Sequence, residues 1–314
     1  ESVAGERRTS ATPETVKKMI RLGAEVAIES GAGAAVGFDD SIYAELGAEI
    51  VADRAALLGS ADMVLRLRKP EPDEIGMMKS GCIHVSYLDP FNERDLIKTL
   101  ADQDITAISM EMIPRSTRSQ KMDALSSQAN LAGFVAVMLA AAQLPRIFPM
   151  LMTPAGTLKP AKVFIIGAGV AGLQAIATAK RLGARVTAFD TRPVVAEQVQ
   201  SLGGKFLEID LGDTGQTSDG YAKELTPEQV EIQRQAQKDV IADSDVVITT
   251  AQVFGRKPPV LVTKDMVEGM APGSVIVDMA AETGGNVEGS VANETVVVDG
   301  VTIVGTATLA NEVA

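Results

Sequence analysis

At 314 residues the chain is long enough for two domains, each burying its own core. Its 29 Lys and Arg against 41 Asp and Glu leave a net charge of −12, which excludes a nucleic-acid binder built on a positive face. One histidine (His84), one cysteine (Cys82) and no Trp exclude an internal disulfide, a His-rich metal site and an aromatic stacking platform, and no metal is expected.

The chain opens at Glu1 without Met and ends at Val313-Ala314 just after a strand signal, so its numbering is expected to be that of a fragment. Thr12-Pro13 reads as an N-cap with proline at the first helical position, and Val16, Met19 and Ile20 form an apolar stripe ending at Gly23. Strands are predicted at 24–29, 48–52, 63–67, 82–86 and 106–109, and helices at 40–46, 54–59 and 92–102. Pro70 and Pro72 punctuate a connection among them. A small-residue helix over 123–144 follows, with Gly133 inside it and Pro145, Pro149 and Pro154 beyond it. Its apolar run from Leu131 to Leu144 falls short of the roughly 20 residues that span a bilayer. The composition reads as that of a soluble, intracellular protein.

A second array has strands at 162–166, 185–190, 205–209, 245–250, 260–263, 274–279, 295–299 and 301–305. Helices are predicted at 169–182, 193–202, 227–242 and 264–270. Between them, 210–225 is polar, carries Gly212, Gly215 and Gly220, and is long for a connection inside a domain. Such a segment is a lid or disordered, and Tyr221 favours the lid.

Gly167-Ala168-Gly169-Val170-Ala171-Gly172 follows an apolar strand and opens a helix, the context a dinucleotide cradle requires. Gly167 permits the tight turn, Gly169 lets backbone approach a pyrophosphate, and Gly172 lets helix pack on strand. The helix N-terminus then offers N–H groups to the anion. Asp190 lies eighteen residues past Gly172, at a strand end where a ribose-binding acid belongs. A carboxylate there repels a 2′-phosphate by roughly 3–4 kcal/mol at about 4–5 Å, some two orders of magnitude in affinity, so NAD(H) is expected. Arg192, two residues on, softens that repulsion.

These signals give an α/β fold of two doubly wound parallel-sheet, Rossmann-like domains with the nucleotide cleft between them. Residues 1–122 form the first domain, its N-terminal strand missing; 123–144 are the connecting helix. Residues 145–306 form the NAD(H)-binding domain, and 307–314 begin a return segment.

Three loops carry further candidates. Arg115-Ser116-Thr117-Arg118-Ser119-Gln120-Lys121-Met122-Asp123 is either a solvated loop with Asp123 as helix N-cap or a loop meeting the nicotinamide. Thr249–Gln252 and Ala280–Asn286 end strands of the nucleotide domain, as ordinary turns or as ligand contacts. His84 shares a strand face with Cys82 and Ser86, which reads as a hydrogen-bonded core histidine beside a packing cysteine.

The segments GAGVAGLQAIATAKRLGARV, PRSTRSQKMDALSSQANLAG, DGYAKE, VVITTAQVFGRKPPVLVTKDMV and GSVIVDMAAETGGN together resemble the NAD(H)-binding component of proton-translocating nicotinamide nucleotide transhydrogenase, in a superfamily shared with alanine dehydrogenase. The resemblance implies that Arg115, Gln120, Asp123 and Ser126 line the hydride site, with Ser116, Thr117 and Arg118 alongside. It implies that Gly167, Gly169, Val170, Ala171 and Gly172, with Asp190, Thr191 and Arg192, hold pyrophosphate and ribose. Gly220 and Tyr221 would close over the nucleotide, and Gln233, Thr250, Ala251 and Gln252 would touch it, Gln252 standing where the family usually has Leu.

Where alanine dehydrogenase has an acid–base set, the matching positions here read Arg66, Tyr87 and Glu282, while its substrate-gripping arginine survives as Arg8. An amino-acid dehydrogenase moves a proton as well as a hydride. A transhydrogenase passes hydride directly between nicotinamides and needs no such pair. The resemblance further implies an NADP(H)-binding partner, a membrane-spanning partner, a homodimer, and a cytoplasmic position on the inner face of the membrane. Two other functions fit the residues: an alanine dehydrogenase-like amino-acid oxidoreductase, and a non-catalytic NAD(H)-sensing module.

Overall fold

In the computed structural model the described residues are 5–212, 214, 225–252 and 255–313. The chain divides into two compact units, Glu1–Leu125 and Ser126–Val313.

In the first unit, helix α1 (Pro13–Arg21) starts where the Thr12 hydroxyl accepts the Thr15 N–H. Strand β1 (Ala27–Glu29), helix α2 (Asp40–Glu45) and strand β2 (Glu49–Val51) form one parallel βαβ set. Buried Val16 and Tyr43 fill its core. Helix α3 (Arg54–Ser60) leads to β3 (Met63–Leu65), α4 (Pro72–Met77), β4 (Ile83–Ser86), α5 (Arg94–Asp102) and β5 (Thr106–Ser109). The last three strands pair in parallel in the order β3-β4-β5 around Leu58, Ile75, Cys82, Leu88 and Leu100. Pro72, predicted to punctuate a connection, instead opens α4. It sits in the first turn, where its missing N–H costs nothing, and Glu71 and Glu74 form a capping box around it.

Helix α6 (Ala124–Gln143) is 20 residues long, and an 18-residue window of it has a mean hydropathy of 1.5, so by length and composition alone the whole helix, unlike its apolar run, could cross a bilayer. Its Val135, Ala136, Val137 and Ala140 nonetheless belong to the core of the second unit. Gly133 marks where it crosses another helix: a Cβ there would lie 2.2 Å from the Ala171 carbonyl oxygen. A hairpin not predicted from the sequence follows, β6 (Leu151–Thr153) and β7 (Gly156–Leu158), with Met152 81% exposed.

The rest of the second unit runs β8 (Lys162–Ile166), α7 (Val170–Arg181), β9 (Arg185–Phe189), α8 (Ala196–Ser201), β10 (Lys205–Phe206), α9 (Pro227–Ala242), β11 (Val246–Thr249), α10 (Lys264–Glu268), β12 (Val275–Asp278), β13 (Thr295–Val298) and β14 (Val301–Val304). Strands β8, β11 and β12 are apolar runs buried on both faces, as a covered parallel sheet demands. The sheet order is β10-β9-β8-β11-β12-β14-β13, parallel except for β13, which folds back through Asp299-Gly300, both at positive φ. From β10 to β12 this is the 3-2-1-4-5 order of a doubly wound nucleotide-binding sheet. The predicted strand at 260–263 is reduced to one isolated bridge, Val262 with Val287, because the N–H groups of Leu261 and Val262 both turn to the Asn286 carbonyl.

Candidate functional site

The order reverses between β8 and β11, and ligands of open α/β sheets bind at such a switch point. Gly167, Gly169 and Gly172 stand here for different reasons. Gly167 has φ +101°, and a Cβ on it would lie 2.4 Å from Thr250 Oγ1. Thr250 Oγ1 donates to the Gly167 carbonyl at 3.1 Å, tying the end of β11 to the turn after β8. A Cβ on Gly172 would lie 1.9 Å from the Gly167 carbonyl oxygen. Gly169, the N-cap of α7, has an ordinary φ of −77°, and a Cβ there would meet nothing within 4 Å. Protein packing therefore demands the first and third glycines, whereas the second keeps open the space a pyrophosphate would need. On that ground the cradle fits a dinucleotide.

Next to it, Phe189, Asp190, Thr191, Phe206, Ile209 and Leu211 line a cavity of about 310 Å³. The Asp190 carboxylate accepts the Ala168 N–H at 2.7 Å and the Arg192 N–H at 2.8 Å. The Arg192 guanidinium closes on the same carboxylate through Nε and Nη2, both at 2.9 Å. That bond raises the guanidinium's already high pKa further, against the effect of burial. A larger hollow lies at Pro13, Glu14, Lys17 and Ile42, mostly exposed side chains with no glycine cradle.

The two loops at the ends of β11 and β12 are joined to each other. Gln252 donates to the Met279 carbonyl at 2.9 Å, and the Asn286 carboxamide donates to Ala251 and Pro259 carbonyls at 3.0 and 2.8 Å. Asp278, fully buried, accepts from the Thr249 hydroxyl and from the N–H groups of Ala280, Asn286 and Val287. Sequence reasoning passed over Asp278. An acid ending an apolar strand just before a Gly-Gly turn is the signal that finds it. Gln233 is buried on α9, with Nε2 3.5 Å from Gln237 Oε1. Gly220 and Tyr221 lie outside the described residues.

In the first unit Arg115–Arg118 are exposed. The Ser119 N–H donates to the Ser116 carbonyl at 3.0 Å, and the Met122 N–H to the Ser119 carbonyl at 2.8 Å, winding Gln120–Met122 into a single turn. Glu111 braces the preceding chain, accepting the N–H groups of Leu88 and Asp89.

Of the positions matched to alanine dehydrogenase chemistry, Arg66 and Arg8 are held in ion pairs. Arg66 donates to Glu74 at 2.8 Å, and Glu74 also accepts from Arg54. Burial opposes ionisation of Glu74, but the Glu71 N–H, Arg66 and Arg54 hold its carboxyl below the usual range. Arg8 closes on Glu6 through Nε and Nη2 at 2.7 and 2.8 Å. Burial raises the Glu6 pKa, but Arg8 and Arg68 override it and bring it to about 2. His84 is fully buried with Nε2 3.0 Å from Ser86 Oγ, as the alternation predicts. Burial, helped by Arg66, lowers its pKa to about 4, so it is neutral at pH 7. Burial pushes the Cys82 thiol up, as suits a packing residue.

This fold and cradle define a two-unit α/β protein of the Rossmann-like nucleotide-binding class. The model of the alanine dehydrogenase/PNT N-terminal domain matches residues 1–132, and that of the alanine dehydrogenase/PNT C-terminal domain matches residues 136–314. The chain belongs to the alanine dehydrogenase/PNT family. It is 45% identical to an NAD(P) transhydrogenase subunit alpha chain of Rhodospirillum rubrum over 99% of this chain and 83% of that one. The crystal structure of transhydrogenase from Sinorhizobium meliloti superposes with a TM-score of 0.89 at 43% identity, covering 100% of this chain and 86% of that one. Alanine dehydrogenase of Bacillus subtilis is 32% identical over 90% of this chain and 69% of its own length.

Proposed function

We propose that the chain is the NAD(H)-binding component of a proton-translocating NAD(P) transhydrogenase and presents NAD(H) for direct hydride transfer to NADP(H) on a partner component. The observation that carries this reading is the Gly167–Gly172 cradle at the switch point of the sheet, with Asp190, at the end of the next strand, accepting the Ala168 N–H. Identity of 45% to a transhydrogenase subunit, against 32% to an alanine dehydrogenase, supports the choice between the two activities.

Bound NAD(H) supplies the reacting nicotinamide carbon. In the proposed roles the first turn of α7, with Val170 and Ala171, holds the pyrophosphate on backbone N–H groups. Asp190 and Thr191 hold the adenosine ribose, with Arg192 beside them. Thr250, Ala251, Gln252 and Gln233 complete the nucleotide contacts. Arg115, Gln120, Asp123 and Ser126, flanked by Ser116, Thr117 and Arg118, orient the nicotinamide, and Gly220 and Tyr221 close over it. Holding the reacting carbons in line is the whole catalytic task, and no side chain has to move a proton.

The ion-paired Arg66, at a position matched to the alanine dehydrogenase acid–base set, agrees with that economy and speaks against an amino-acid dehydrogenase, which needs a working acid–base pair. The proposed assembly is a homodimer with NADP(H)-binding and membrane-spanning partners, peripheral on the cytoplasmic face of the membrane. The test is hydride transfer from NADH to an added NADP⁺-loaded partner component, with Gln120→Asn expected to slow it at least tenfold. Unchanged transfer in that variant removes Gln120 from the site, and no transfer by the parent chain removes the function.

A further inference from the structure

The Asp190 carboxylate has about four lone-pair directions, and four donors fill them. Ala168 N–H and Arg192 Nη2 bind Oδ2, while Arg192 N–H and Nε bind Oδ1. Two of these donors are backbone groups set by the turns after β8 and β9, and they stay when a ligand arrives. The other two belong to one guanidinium on a flexible stem. Both side chains are largely sheltered, Asp190 at 7% and Arg192 at 14% exposed, and Asp190 lines the 310 Å³ cavity. A ribose diol that donates to Asp190 must therefore take the directions Arg192 holds.

We propose that Arg192 is a specificity-determining residue: an internal ligand of Asp190 that the 2′,3′-diol of the cofactor displaces, and whose charge then stands beside the 2′ position. This inference rests on the proposed NAD(H) site and deepens it. A lone carboxylate at that position rejects a 2′-phosphate by roughly two orders of magnitude. With a guanidinium in bidentate contact the net local charge is near zero, and the displaced fork matches phosphate geometry. Arg192 thus makes the site less exclusive for NAD(H) than its acid alone would make it, and it competes with the diol for that acid.

The measurement is the ratio of the NADPH to the NADH dissociation constant, read by nucleotide fluorescence with the 314-residue chain and its variants. Arg192→Ala is expected to raise the ratio at least tenfold, chiefly through weaker NADPH binding. Arg192→Gln keeps the side chain's length and packing without its charge, and it is expected to shift the ratio in the same direction. Asp190→Asn removes the negative charge beside the guanidinium and is expected to bring the ratio towards parity. A ratio unmoved by both Arg192 variants overturns the inference. So does a ratio that falls because NADH alone is weakened, which would make Arg192 a direct ribose ligand. Either result leaves the proposed function standing, whereas a parent chain that binds neither nucleotide overturns both.

Discussion

Asp278 accepts the backbone N–H of Asn286 on both carboxylate oxygens, at 3.2 and 3.0 Å, and so fixes the loop after β12 against the strand it leaves. Asn286 passes that order on. Its carboxamide holds Ala251 and Pro259, and its carbonyl accepts the N–H groups of Leu261 and Val262 at 2.8 and 3.0 Å. A buried carboxylate and a buried amide thereby set the loops after β11 and β12.

Removing Asp278 strands buried donors, and removing the Asn286 carboxamide strands the Ala251 and Pro259 carbonyls. Asp278→Ala is expected to cost about 3 kcal/mol of unfolding free energy and Asn286→Ala about 2 kcal/mol, read from urea denaturation. A loss below about 0.5 kcal/mol for both would mean that these loops are held by other contacts.

The cradle glycines are expected to separate folding from binding. Gly172→Ala pushes a Cβ towards a carbonyl oxygen 1.9 Å away and should cost about 2–3 kcal/mol of stability. Gly169→Ala has open space and an unstrained φ, so stability should change by less than about 0.5 kcal/mol. NADH affinity in that variant should nevertheless fall on the order of tenfold or more, about 1.4 kcal/mol. Equal NADH binding by Gly169→Ala and the parent would contradict the pyrophosphate assignment.

His84 gives the first unit an acid-side weakness. Its folded pKa of about 4 lies below the ordinary 6.5, so between those values the unfolded chain takes up a proton that the folded chain refuses. Stability therefore falls as pH drops through 6.5, by about 2–3 kcal/mol at pH 4.5, before the paired carboxylates begin to lose their charge. His84→Gln keeps a donor for Ser86 and should flatten the stability profile between those two pH values. A slope that survives the substitution would assign the titration to another group.

The strand–glycine–helix–acid sequence from Lys162 to Asp190 was legible because each of its signals is local, and α9 was legible because Thr226-Pro227 and Gln229 cap it within four residues. What escaped was set at a distance. Arg185–Phe189 pairs with β8 along its whole length, but the next strand narrows to Lys205–Phe206 at the sheet edge, where nothing beyond it rewards extension. The 260–263 run is apolar because Leu261 and Val262 are buried, and apolar periodicity alone does not say whether a partner strand is there. That an acid stands just past β9 was visible, but its occupation by Arg192 depends on a side-chain fold that spacing does not encode.

The central claim is that hydride passes directly from one nicotinamide to another without help from a titrating side chain. It is tested by supplying NADH deuterated at the transferring C4 position to the chain and an NADP⁺-loaded partner component, then analysing the NADPH formed. Full retention of deuterium at C4 of NADPH is the predicted result. Loss of the label to water, or reduction of a small metabolite by the chain in the absence of any partner, would contradict it.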